Sequence, residues 1–381
     1  MTDRLYYDDC YLTGFRARVV DASPDRTRIY LDRTVFYPPS GGQPYDLGLL
    51  NGVRVTEVGD EEERIVHVLD APLAGAEVEG RIDWARRFDH MQQHTGQHLL
   101  SALLVELFGA QTVSFHLGVE SSTIDIARAS LDAAELRRVE ERSNEVVFED
   151  RPVTISYQDS TEDLALRKPT EREGRIRIIS IADLDRSACG GTHVRRTGEI
   201  GPILIRKLDK IRGNVRIEFL CGMRAVRRAR ADYEAVSAIA RSFSAPLDET
   251  PALVSGQFAK LQETERALRK LSVEFAQVRG RQLYANTGPE ADGIRYVRRR
   301  VPGLTDELRA EAQTFVEGEK ALFIATVDDP PSVLVAASKD SGVNAGQKVK
   351  EAVTKVGGRG GGSATMAQGS VPSRHLLDSL F

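Results

Sequence analysis

The sequence predicts an α+β protein of several domains, and three observations carry that expectation. Short alternating stretches separated by turn signals fill residues 1–85, as in a small β-barrel. From 86 to 224 longer stretches with helical spacing alternate with antiparallel-looking strands, which is the α+β pattern. Near the C-terminus two continuous apolar runs read as buried strands of an α/β tail. At 381 residues the chain is too long for one ordinary domain.

Composition narrows the function classes. The formal net charge of −4 means that the whole molecule does not attract nucleic acid, so such a partner needs a local basic patch. No apolar run approaches the roughly 20 residues of a membrane-spanning helix, and no membrane partner is expected. Cys10, Cys189 and Cys221 are odd in number and lack disulfide spacing. That suits a reducing compartment. The opening MTDRLYYDDC has no signal-peptide pattern, so a cytoplasmic location is expected.

In the first segment, Phe15–Val20 and Arg28–Leu31 alternate, Asn51-Gly52 marks a hairpin turn, and Ile65–Leu69 continues the strand pattern. Between them lies Thr34-Val35-Phe36-Tyr37-Pro38-Pro39-Ser40-Gly41-Gly42-Gln43-Pro44. By composition this is a tight Pro/Gly loop. From about Trp84 the pattern turns helical: Leu99, Leu100, Leu103, Leu104 and Leu107 form an apolar face, and Gly109 stops it. Strands follow at 113–117 and 122–126, a helix from Leu131 to about Glu149, and strands at 153–157 and 175–181. Residues 225–285 read as a helical hairpin linker. Asp248-Glu249-Thr250-Pro251 is a helix start with a capping side chain and Pro in the first turn. Val254, Leu261, Leu268 and Phe275 recur every seven residues, as in a coiled-coil seam. In 286–381 come the apolar strands 321–327 and 332–337, a helix over 343–356, and the glycine cluster Gly357–Gly362.

The chemistry concentrates in HMQQHTGQHLL, residues 90–100, which sets His90, His94 and His98 at four-residue steps. Residues four apart stack on one helix face, so two adjacent imidazoles can converge on one cation. By spacing alone His90 with His94 serves as well as His94 with His98. Far downstream, Cys189-Gly190-Gly191-Thr192-His193 again sets a Cys and a His four apart. Two His plus Cys and His is a donor set suited to zinc.

HxxxH from His94 to His98, followed by CGGTH from Cys189 to His193, resembles the editing domain of alanyl-tRNA synthetase, which also occurs free as the AlaX proteins. The family pattern selects His94 and His98 over His90. The loop at Thr34–Pro44 resembles the family's glycine-rich FYPxGGGQP motif beside the active site, with Ser40 where the first glycine of the triplet usually stands. Phe115-His116 resembles the free-standing version. Gly198–Ile205 with Val215–Glu218 resembles the segment that closes the editing domain. The glycine cluster followed by Met366-Ala367-Gln368-Gly369 resembles the synthetase C-terminal domain shared with DHH phosphoesterases. Nothing resembles an aminoacylation domain, so the match is to the long AlaX form.

The resemblance implies one Zn(2+) per chain, held by His94, His98, Cys189 and His193, with catalytic roles for His94, His98 and Cys189. It implies substrate contacts from Thr34, Gly41, Gly42, Gln43, His116, Arg212 and Arg216. A structural role for His116 stays open beside the pocket role. Lys207, Lys210, Arg195, Arg196, Arg206 and Arg224 make the surrounding region locally basic, read as tRNA phosphate contact. The implied reaction is ester hydrolysis of tRNA(Ala) carrying a wrong amino acid, serine first and glycine second. A catalytic zinc wants an open position, and His193 is the ligand expected to yield. Two alternatives stand beside this: a threonyl-tRNA-type editing hydrolase on the same fold, and a non-catalytic tRNA-binding protein with a structural zinc. The implied organisation is a barrel domain with its glycine-rich loop (1–85), a zinc-binding editing domain (86–224), the helical linker (225–285) and a C-terminal α/β domain (286–381) for homodimerisation and tRNA binding.

Overall fold

The computed structural model describes residues 1–160, 164–171 and 173–381. Its contacts divide into two compact units, Met1–Ala238 and Ile239–Phe381. The first begins with a closed six-stranded barrel of β1 (Gly14–Ala22), β2 (Arg28–Leu31), β3 (Gly48–Leu50), β4 (Val53–Glu61), β5 (Arg64–Leu69) and β6 (Glu77–Ile82). The strand order is β1-β2-β5-β4-β3-β6, closing back on β1. Closure leaves no free edge, and alternation sends Ile29, Leu31, Val55, Val58, Ile65, Val78 and Ile82 into one apolar core.

One polar pair is sealed into the barrel. His67 lies at 0 % exposure, its Nδ1 3.2 Å from the Ile29 carbonyl and its Nε2 2.9 Å from the Thr34 hydroxyl. A carbonyl only accepts, so Nδ1 carries the proton and the Thr34 hydroxyl donates to Nε2. Thr34, in the strand pair Asp3–Arg4 and Arg33–Thr34 beside the barrel, is fully buried with its hydroxyl committed to His67, where a substrate contact was expected.

Helix α1 (Trp84–Phe108) follows, capped by the Asp83 side chain and ended by Gly109 in a left-handed conformation. Every residue from His90 to Leu104 is buried. Leu99, Leu100, Leu103 and Leu104 sit at 0 % exposure in the main core, each contributing about 1.5–3 kcal/mol by burial. Arg87, equally buried, pairs with Asp46 and donates to the carbonyls of Cys10 and Val35. Asp46 also accepts from the Tyr37 amide at 2.7 Å. This buried pair pins the 35–46 loop to the start of α1.

Around α1 lie β7 (Thr112–Leu117), β8 (Ser122–Ile126), α2 (Ala133–Phe148), β9 (Val153–Asp159), β10 (Arg175–Ile181), β11 (Asp185–Ala188), β12 (Ile203–Ile211) and β13 (Asn214–Cys221). They form an antiparallel sheet of order β12-β13-β8-β7 and a three-stranded sheet β9-β10-β11. Helix α3 (Met223–Phe243) follows.

In the second unit α4 (Thr250–Asn286) packs Leu283 and Tyr284 against Phe315 of α5 (Asp306–Phe315). Pro251 occupies its first turn, but no side chain caps it. The sheet uses β14 (Arg295–Val301), β15 (Ala321–Val327), β16 (Ser332–Ala337), β17 (Arg359–Gly362) and β18 (Met366–Ser370), in the order β14-β15-β16-β18-β17. Helix α6 (Ala345–Lys355) packs Val349 and Val353 into its core. The glycine cluster is thus an outer strand paired with β18, not a free loop. The seven-residue stripe is uncovered: Val254, Leu261, Leu268 and Phe275 are 40 %, 49 %, 63 % and 62 % exposed. The expected hairpin therefore does not bury it. No helix among the described residues is long and apolar enough to cross a membrane.

Burial depresses His67 to about 4. The unfolded chain takes up this proton near pH 6.5, whereas the folded barrel resists until about pH 4. Stability is therefore lost as pH falls through that window, by about 2 kcal/mol at pH 5. Urea unfolding at pH 7 and pH 5 checks this. In His67→Gln the acid-induced loss should shrink by that amount, and an unchanged loss would contradict it.

Candidate metal centre and its cavity

His94 and His98 project from adjacent turns of α1, and Cys189 and His193 come from the loop after β11. One ligand atom from each of the four lies within 4.8 Å of all the others. Cys189 Sγ is 3.5 Å from His94 Nε2 and 3.4 Å from His193 Nε2. Tetrahedral zinc with ordinary Zn–N and Zn–S lengths separates its ligands by about 3.3–3.8 Å. The donor set therefore fits zinc in chemistry, and both Cys189–imidazole distances fall in that range.

The hydrogen bonds behind the imidazoles fix which nitrogen each presents. Gln43 Oε1 accepts from the Thr192 amide at 3.1 Å, which identifies it as the oxygen. His94 Nδ1, 2.8 Å from that oxygen, must then carry a proton. His98 Nδ1 donates to Asp185 at 3.0 Å. The Thr95 hydroxyl gives its proton to the Met91 carbonyl at 2.8 Å, so at 3.1 Å it accepts from His193 Nδ1. All three Nε2 atoms are left to face Cys189. Such partners set tautomer and orientation at metal sites. Asp185 is also gripped by Arg167 at 2.6 Å and Ser187 at 2.9 Å.

Electrostatics follow from this packing. Burial disfavours a charged His98, but Asp185 and Cys189 overcome it and raise the imidazole to about 9. Burial pushes the Cys189 thiol up, yet facing His94 and His193 brings it well below its ordinary value. His193 is held at about 3 by burial and by His94.

Arg177 of β10 shapes the loop. Its guanidinium donates to the carbonyls of Cys189 at 2.7 Å and Gly191 at 2.9 Å, and to that of Tyr7 at 2.9 Å. A Cβ on Gly191 would lie 2.2 Å from His94, so only glycine lets the loop close over the imidazole. Gly42, at φ +85°, sits against Phe115, and its carbonyl accepts from the Leu117 amide at 3.2 Å.

A cavity of about 290 Å³ opens on His94, His98 and Cys189, walled by Tyr37, Gly41, Gln97, Phe115, Arg167 and Gly190 among others, while His193 lies buried behind it. No carboxylate lines it among the described residues. Of the sequence-predicted contacts, Gly41 lines this cavity and Gly42 shapes its wall against Phe115. Gln43 is buried behind the cavity, holding His94 and Thr192. His116 is exposed and absent from the cavity wall, although Ser114 and Phe115 of the same strand line it. Arg212 is exposed in the β12–β13 turn, and Arg216 is bound bidentately by Asp125; neither lines the cavity. The basic region is also largely neutralised: Arg195, Arg196, Arg206, Lys207 and Arg224 pair with Asp9, Asp150, Asp232, Asp209 and Asp89.

Comparison with known proteins places this arrangement. Residues 176–218 match the family described as the threonyl and alanyl tRNA synthetase second additional domain. Residues 306–381 match the DHHA1 domain. The alanyl-tRNA editing protein AlaX-L of Pyrococcus horikoshii is 30 % identical over 98 % of this chain and 96 % of its own length. The chain belongs to the long-form alanyl-tRNA editing protein family, AlaX-L. Alanine–tRNA ligases also match, at 33 % identity for Pyrococcus abyssi and for Methanoregula boonei, over 97 % and 99 % of this chain. The chain spans only 42 % of either ligase. For this AlaX-L chain, Thr95, Arg177 and Asp185 are the supporting residues that sequence reading missed. Only Asp185, a carboxylate four residues before Cys189, carried any visible signal.

Removing a partner behind a ligand typically costs 10–100-fold in metal affinity. Asp185→Ala should therefore lower zinc affinity by about that factor in chelator competition, while wild type retains about one zinc per chain. Equal zinc retention in both proteins would contradict the assigned role.

Proposed function

We propose that this chain is a hydrolase that removes wrong amino acids, serine first and glycine second, from the 3′ end of tRNA(Ala). The observation that carries the proposal is the convergence of three imidazoles and the Cys189 sulfur on one point, with His94, His98 and Cys189 lining a small cavity. The name of the Pyrococcus horikoshii relative, matched along nearly its whole length, supports alanyl over threonyl specificity. The matched domain's description names both.

In this reading His94, His98, Cys189 and His193 hold zinc, and His94, His98 and Cys189 belong to the catalytic set. Zinc bound there supplies Lewis-acid polarisation of the ester carbonyl. Gln43, Asp185 and Thr95 keep the imidazoles oriented. Gly41 and Tyr37 bound the space for a small aminoacyl group. An ester is already activated, so positioning contributes much of the acceleration. With no carboxylate in the cavity wall, a ribose hydroxyl of the substrate serves as the nearby proton-transfer group. Pairing with a serine hydroxyl leaves the site unsatisfied by alanine, the arrangement that gives large discrimination.

A deacylation assay on Ser-, Gly-, Ala- and Thr-charged tRNA tests the reading. Serine release should be fastest and alanine spared, and Cys189→Ala should lower turnover at least 100-fold with the circular dichroism spectrum unchanged. Wild-type turnover in that variant would sink the assignment.

We further propose that residues 225–381 carry dimerisation and tRNA holding but no chemistry, with the α4 stripe as the dimer seam. An apolar stripe of this length is buried in use. Sedimentation at micromolar concentration should give a dimer, and Leu261→Glu with Leu268→Glu a monomer. A monomeric wild type would refute the seam.

A further inference from the structure

A second cleft in the first unit is larger than the metal cavity. It measures about 840 Å³ and flanks the opening turns of α1. This lies within the ~300–1,000 Å³ range of ligand sites. Its wall includes His90, one helical turn before His94. His90 is 3 % exposed, and its Nδ1 is enclosed with no hydrogen-bond partner. Neither ring nitrogen is bonded among the described residues. Leaving such a group unpaired is costly, and one in the wall of a cleft needs a partner that a bound ligand can supply.

The rest of the wall has one chemical character. Four arginines, Arg86, Arg224, Arg227 and Arg228, face two carboxylates, Asp89 and Glu120. Arg224 is spent on Asp89 and the Gly118 carbonyl, and Arg228 on Asp232. Arg86 uses only its Nε, on the Tyr45 carbonyl. Arg227 is exposed and has no ion pair among the described residues. Phe88, tilted against Trp84 with ring centroids 5.5 Å apart, and Leu220 supply an apolar floor.

We propose that this cleft binds a nucleotide of single-stranded RNA, and that the occupant is a nucleotide of the tRNA acceptor end. Arg86 and Arg227 take its phosphate, Phe88 faces the base, and His90 hydrogen-bonds the base or sugar. Unpaired arginines beside an aromatic face are the usual equipment for unpaired RNA. The two sites are neighbours along the same loop, with Gly41 lining the metal cavity and Pro44 lining this cleft. One α-helical turn advances by about 5.4 Å, so one strand end can occupy both. This identification of the occupant rests on the hydrolase reading above.

Trp84 is the only tryptophan in the chain, so its fluorescence reports on this cleft without any turnover. Full-length zinc-loaded protein is titrated with a single-stranded RNA tetranucleotide and, separately, with inorganic phosphate. The RNA should give a saturable change whose midpoint rises at least fivefold in Arg227→Glu. The salt dependence of binding should lose about 0.7–1 of log–log slope in that variant, as for one phosphate contact. Arg227→Glu should also raise KM for aminoacyl-tRNA at least fivefold more than for a short aminoacyl ester. No saturable RNA signal, or an unshifted midpoint in Arg227→Glu, would overturn the proposal. So would saturation by phosphate at the same concentration as RNA, which marks a free-anion site. A normal RNA titration with no tRNA deacylation would retire the hydrolase reading and leave the RNA cleft standing.

Discussion

A helix buried from His90 to Leu104 cannot leave a polar side chain unpaired without cost, and α1 carries many. Gln93 meets the carbonyl and amide of Cys221, Gln92 the carbonyl of Glu199, Gln97 the hydroxyl of Ser101, and Thr95 the carbonyl of Met91. The bonds of Gln92 and Gln93, which reach outside the helix, also fix the rotation of α1 against its neighbours. With that rotation set, His94 and His98 face one point, and the loop carrying Cys189 and His193 can be delivered to it. His90 is the exception to the pairing, and for that reason it marks a second site.

The metal centre is assembled from three remote stretches of chain. Gln43 is 51 positions from His94 and 149 from Thr192, yet it bonds both. The Arg87–Asp46 pair holds the 35–46 loop on α1, and Arg177 holds the Cys189 loop from the opposite side. The barrel is therefore part of the site. It anchors the loop that sets the tautomer of a ligand it does not itself contain.

Much of this was legible in the sequence. The strands at 175–181, 321–327 and 332–337 appear with the expected bounds, because continuous apolar or strictly alternating runs admit one reading. The four ligands were legible because their spacing matches one helical turn in α1 and one short loop. Which two of the three helix histidines are used was not, since His90 and His94 share the same spacing. The supporting residues were illegible for a different reason. Thr95, Arg177 and Asp185 are common residue types whose roles arise only when separate strands meet. For His116 the sequence left a pocket role and a structural role open, and the residue stands exposed outside the cavity wall. Thr34 and Gln43 fell within a recognised motif, but the motif's hydrogen bonds hold the barrel and the imidazole, not a ligand.

The basic residues near the C-terminal edge of the first unit show how charge misleads when it is counted along the chain. Arg195, Arg196, Arg206, Lys207, Arg216 and Arg224 each have a carboxylate within ion-pair distance. Those carboxylates are remote in sequence for all but Lys207, so a local window shows an excess that folding cancels. Surface pairs of this kind contribute little stability, but they remove the cations from the field that an approaching polyanion meets. Among the described residues, cations of these two regions without an ion pair include Lys210 and Arg212 at the β12–β13 turn and Arg86 with Arg227 beside the α1 cleft. In a chain whose net charge is −4, a few uncompensated guanidinium groups beside a concave surface weigh more than a long basic stretch whose partners are already in place.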